Sequence, residues 1–171
     1  MSRVFLFVVI CALILGAQDS KVNRASVFLQ AGGGKRLTIE YERPSRNGRT
    51  IMGGLVPYGK IWPVGEKTPA RLTSEFDFAI GDVLISEGTY SLFALPTESG
   101  WKLVINKVYK AEGFAYDQKE DAGRFDMELA KTADPVEQLT ISLVPGGGGK
   151  GKMKIEWENT SATLPFTVVS Y

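Results

Sequence analysis

The chain has 171 residues, 44% hydrophobic and 23% charged, with 20 basic and 19 acidic side chains. That is a globular composition with room for one well-filled core, and it lacks the basic excess that phosphate binding demands, so nucleic acid is not an expected partner. There is no histidine and one cysteine, Cys11, which excludes Ser-His-Asp and Cys-His nucleophiles, histidine proton shuttles, histidine-ligated haem and ordinary zinc sites.

Residues 1–17 have the three-part pattern of a secretory signal: Arg3, an apolar run from Val4 to Leu15, then Gly16-Ala17 ahead of polar Gln18-Asp19. A spanning helix needs roughly 20 apolar residues, so no stable membrane span is expected once cleavage after Ala17 has occurred. The remaining chain, 18–171, is expected to be one domain, secreted or periplasmic. It holds no cysteine, and its basic and acidic residues are equal in number.

From Ser26 onward the hydrophobic pattern has period two. Leu37, Ile39 and Tyr41 alternate with Thr38, Glu40 and Glu42, as in a strand with one wet face. Residues 43–69 then break the alternation with four of the eight prolines and several glycines. Compact domains seldom leave so long a segment irregular, and long ordered loops often carry function. A structural reading is also open, with Ile51, Leu55, Val56, Tyr58, Ile61 and Trp62 plugging one end of the fold. Alternation resumes at Leu72-Ser74-Phe76, and Gly81-Asp82 and Glu87-Gly88 read as hairpin turns. Tyr90-Leu92-Ala94 and Trp101-Leu103-Ile105 follow, then a brief helical turn over Tyr116 to Ala122. Phe125-Met127-Leu129, Leu139-Ile141-Leu143 and Met153-Ile155-Trp157 are further strands, and Leu164 to Val169 is the last. The pattern predicts an all-β fold, an antiparallel β-sandwich or jelly-roll-like barrel of about eight to ten strands with one short helical turn.

Chemistry in this chain falls to carboxylates, Lys, Arg, Tyr or an oxygen-ligated metal. The stretch from Pro145 to Met153 has the glycine and lysine spacing of a phosphate loop, but Met153 replaces the magnesium-binding hydroxyl and a strand follows instead of a helix. It reads as a hairpin loop. Glu40 with Glu42, and Glu156 with Glu158, lie two apart on strands, a spacing compatible with a carboxylate-dependent glycan hydrolase and equally with a solvated sheet face. Asp117, Glu120 and Asp121 are oxygen ligands without the spacing of a calcium loop; a capping Asp117 and an Asp121 to Arg124 pair need no metal. Asn159-Thr160-Ser161 is a glycosylation sequon. In the long loop, Arg43, Arg46, Arg49 and Lys60 accompany Tyr58 and Trp62, a set suited to a carboxylate, a phosphate or a sugar ring. Alternatively, Arg43 and Arg49 tie the loop to backbone carbonyls and to the sheet.

Arg43-Pro44-Ser45, Gly48-Arg49, Ile51 and the run from Gly53 to Trp62, GGLVPYGKIW, resemble the defining stretch of the domain of unknown function 2911 family. Gly88 to Phe93, Pro96, Trp101, Asn106-Lys107, Tyr116-Asp117, Asp121, Arg124, Trp157-Glu158 and Pro165-Phe166 match in order, so the resemblance spans about residues 24–167. It implies a secreted, bacterial, largely β protein without an assigned reaction. Family members often follow the tryptophan with Arg and then Gly-Ala-Asn-Glu, where this chain has Pro63-Val64-Gly65-Glu66-Lys67-Thr68. The expected function is non-catalytic binding of a small molecule, glycan or protein through loop 43–69, without a cofactor. The candidate binding residues are Arg43, Arg49, Tyr58, Lys60 and Trp62 in the loop, with Asn106 and Asp117 from the later motifs.

Overall fold

A computed structural model describes residues 23–109 and 115–169. The leader at 1–17 and its cleavage point lie outside the described residues. Ten strands form: β1 (Arg24–Gln30), β2 (Arg36–Glu42), β3 (Trp62–Pro63), β4 (Ala70–Ser74), β5 (Phe78–Ile80), β6 (Val83–Ile85), β7 (Gly88–Pro96), β8 (Trp101–Asn106), β9 (Asp121–Gly147) and β10 (Lys150–Val168). Two short 3-10 turns, Gly32–Gly34 and Gln118–Glu120, complete the described structure, the second inside the expected helical turn. The fold is all-β and antiparallel, as the period-two pattern requires. Its strands form one open path, β1-β2-β4-β7-β8-β9-β10-β5-β6, with β3 pairing to β7.

The two longest strands carry the path around. The start of β9 pairs with β8, Phe125 opposite Leu103, and from Glu128 onward it pairs with β10. Alternate residues of the strands meet in one core, including Leu37, Ile39, Leu72, Leu92, Leu103, Ile105, Ile141 and Ile155. Each such side chain, once fully buried, contributes about 1.5–3 kcal/mol. Three tryptophans knit the core to the loop. Trp62 stacks on Trp157 at 6.0 Å and meets Trp101 edge-on at 6.0 Å.

The opposite face is not uniformly wet. Phe93 and Val104 face each other across β7 and β8 on the side away from Leu92 and Leu103, and both are buried. Tyr116 packs edge-on against Phe93 at 5.1 Å and so covers that part of the sheet.

The long loop is pinned at intervals along its length. Arg43 N–H donates to the Asn23 carbonyl, Arg46 N–H to Glu137, and Gly59 N–H to Pro96. Ser45 bridges to Gln138, and Trp62 and Pro63 pair with Ala94 and Phe93. Gly53 has φ of 80° and the Tyr58 ring lies where its Cβ would be, so any side chain there would be both strained and obstructed. Ile51, Val56 and Trp62 are buried as plugs, whereas Leu55 and Tyr58 are exposed.

Candidate functional site

Backbone register explains the main polar feature of the outer face. Ser26 of β1 sits opposite Glu40 of β2, Glu40 opposite Arg71 of β4, and Arg71 opposite Ser91 of β7. Ser91 then faces Asn106 of β8, and Asn106 faces Asp121 of β9. Six polar residues thus lie in one row across six adjacent strands. The first five each neighbour a core residue along their own strand, so alternation turns them outward, whereas Asp121 shares the parity of Phe125 and joins the row through the register shift beside Asn106.

The two halves of the row differ. Toward β9 it is covered and internally satisfied. Ser91 Oγ donates to the Val108 carbonyl at 2.7 Å, and Asn106 Nδ2 donates to the Asp117 carbonyl at 2.9 Å and to Asp121 Oδ1 at 3.0 Å. Val108 N–H returns a bond to Asn106 Oδ1. Asp121 also accepts from the Tyr116 hydroxyl and from Arg124 Nε, each at 2.7 Å, and Arg124 donates to Tyr116 as well. Burial and the Asp121 carboxylate raise the pKa of Tyr116, and the same carboxylate raises that of Arg124. This end fastens Val108, Tyr116 and Asp117 to the sheet.

Toward β1 the row is open. A groove of about 420 Å3 is lined by Arg24, Ser26, Glu40, Glu42, Thr68, Pro69, Arg71 and Tyr109, among others. Arg71 reaches Glu40 Oε2 through Nε at 2.7 Å and also through Nη2. The Arg71 guanidinium lies 5.5 Å from the Tyr109 ring centre. Glu42 is only 3% exposed although it is on the outer face. The loop end covers it: the N–H groups of Glu66, Lys67 and Thr68 all donate to Oε2, and the Thr68 hydroxyl donates to Oε1 at 3.0 Å. Arg24 stands 3.9 Å from Oε1. Burial on its own raises the pKa of Glu42, but these donors outweigh it and hold the carboxyl below its ordinary range. The end of the loop thus wraps the backbone of Glu66, Lys67 and Thr68 around a carboxylate from β2.

The sequence-derived residues fall in several places. Arg43 donates from Nε to the Leu139 carbonyl and from Nη2 to Thr140 Oγ1, each at 3.1 Å. It lines a second, narrower slot of about 150 Å3 between β1 and β9. Arg49 donates to the Arg46 and Ser45 carbonyls at 2.9 and 2.7 Å, closing its own turn. Tyr58 and Lys60 are exposed on the loop. Trp62 belongs to the core, its Nε1 donating to the Gly65 carbonyl at 3.3 Å. Asn106 is buried in the polar row, and Asp117 Oδ1 caps the short turn by accepting from Lys119 N–H at 3.0 Å. None of these seven lines the open groove, which the loop reaches through Thr68 and Pro69. Sequence alternation gives no sign of the Glu40, Arg71 and Tyr109 grouping, because cross-strand register joins the first two and Tyr109 reaches them from beyond the end of β8. No group of three or more potential metal-ligating His, Cys, Asp or Glu occurs among the described residues.

An antiparallel all-β domain with a polar row ending in an open groove is the class that fold and site define. The family described as "Protein of unknown function (DUF2911)" matches residues 23–166, and the chain belongs to it. No curated protein and no solved structure matches the chain.

Proposed function

We propose that this is an exported, non-catalytic binding domain that holds a small polar molecule in the groove between β1, β2, β4 and Tyr109. The observation that carries the reading is the convergence of Ser26, Glu40, Arg71 and Tyr109 on one open concavity from segments far apart in the chain. Loop 43–69 enters through its end, where Thr68 and Pro69 form a wall. The pocket volume lies within the range of small-molecule sites.

The state of the carboxylates favours binding over glycoside hydrolysis. That reaction needs one carboxyl protonated near neutral pH to act as general acid. Glu42 is held in the opposite state by four donors, and Glu40 is tied to Arg71. A thermal-shift screen of sugars, cell-wall fragments, small anions and calcium tests the reading, because a ligand selective for the folded state raises the melting temperature by mass action. A shift seen with the native protein and lost in Arg71→Ala is the expected result. A shift that persists in Arg71→Ala, or no shift with any compound, would overturn it.

A further inference from the structure

We infer that the groove selects a neutral, polyhydroxylated ligand, a small saccharide, over an anion or a cation. This rests on the binding reading above and gives it a chemical class. The groove holds two guanidinium groups and two carboxylates, and they are matched in pairs: Arg71 with Glu40, and Arg24 with Glu42. A ligand carboxylate could engage Arg71 fully only by displacing Glu40 from a two-donor contact. An ammonium group would meet, in Glu42, a carboxylate already serving three backbone N–H groups and a hydroxyl. Either charge would leave water for a groove whose own charges cancel, and would meet no uncompensated opposite charge to offset that desolvation.

The hydrogen-bonding capacity still open is of another kind. Both Arg71 bonds go to Oε2 of Glu40, leaving Oε1 without a hydrogen-bond partner among the described residues, and Ser26 Oγ is equally open. A hydroxyl donates and accepts at once, so neighbouring ligand hydroxyls can donate to Glu40 Oε1 while accepting from Ser26 or a guanidinium N–H. Tyr109 and Pro69 supply apolar wall for the carbon skeleton, the combination of apolar surface and few placed polar groups that ligand sites use.

Isothermal titration calorimetry of the protein against neutral hexoses and disaccharides, with the uronate and amino-sugar counterpart of each, tests the assignment. At least one neutral sugar should bind, with both charged counterparts at least about tenfold weaker. Glu40→Gln keeps the side-chain shape but leaves Arg71 unmatched. That variant should lose about tenfold or more toward the neutral sugar, the loss typical of a hydrogen bond to a charged group, and gain affinity for the uronate. Circular dichroism of Glu40→Gln confirms that the variant is folded. A uronate or amino sugar that binds the native protein as tightly as its neutral counterpart would overturn the inference while leaving a binding domain in place. Absence of binding across the panel, together with a thermal-shift hit of unrelated chemistry lost in Arg71→Ala, would likewise overturn only the ligand class. Absence of both would overturn the binding reading too.

Discussion

The buried carboxylate of Glu42 is held by contacts that exist only in the folded chain, so its ionisation is linked to stability. Because its folded pKa is lowered, its contribution is complete above the ordinary carboxyl value of about 4.3 and is lost as pH falls through the lower folded value. Glu42→Gln should cost about 1–3 kcal/mol at neutral pH, since an amide keeps one oxygen for the backbone N–H groups but gives up the negative charge that strengthens their bonds. The gap in melting temperature between native protein and variant should close at strongly acidic pH; a gap independent of pH would contradict the linkage. Two loop residues offer a contrast. Trp62→Ala removes a ring stacked in the core and should cost about 3–5 kcal/mol. Arg49→Ala removes exposed bonds to two carbonyls and should cost about 0.5–1.5 kcal/mol, with urea unfolding reading both.

Among the elements, β10 shows how a carboxylate can organise a loop. Glu158 has φ of 54°, unusual for a residue with a side chain, and lies between two register shifts. Its Oε2 accepts from Ile51 N–H at 3.0 Å and Met52 N–H at 3.4 Å, while Oε1 lies 3.6 Å from Arg46. Glu158→Ala should speed hydrogen exchange at Ile51 and Met52 while leaving β7 and β8 protected; unchanged exchange at the two amides would contradict this anchoring role. Elsewhere in β10, the strand folds so closely that the Phe166 ring lies over Gly151, where a Cβ would come within 2.5 Å of ring carbon. Gly151→Ala should therefore cost about 1–3 kcal/mol by overpacking, read in the same unfolding assay. The strands themselves were legible, because Leu37-Ile39-Tyr41 and Met153-Ile155-Trp157 expose their period locally. The polar row was not. Ser26, Arg71 and Ser91 read only as wet positions on strands, Glu40 as one of a carboxylate pair, Asn106 as a candidate binding residue and Asp121 as part of an acidic turn, and their alignment depends on pairings between distant segments. Phe93 and Val104 escaped for a related reason: alternation places them outward, and the Tyr116 ring that packs on Phe93 comes from outside the strands.

For the whole molecule, one core joins β1 to β10 and takes in the loop through Ile51, Val56 and Trp62. Urea unfolding followed by tryptophan fluorescence, which reports Trp62, Trp101 and Trp157, should therefore coincide with unfolding followed by far-ultraviolet circular dichroism. Separate midpoints would mean that the loop and its tryptophan cluster melt independently of the sheet. The same connected frame leaves the outer face divided between a covered half, fixed by Asn106, Asp121, Tyr116 and Arg124, and an open half at Glu40 and Arg71. Whether that open half is the working surface is tested most directly by backbone hydrogen exchange with and without a compound that raises the melting temperature. Slowed exchange is expected at residues 24–26, 40–42 and 66–71; slowing confined to residues 46–60, with those segments unchanged, would contradict a binding site on this face.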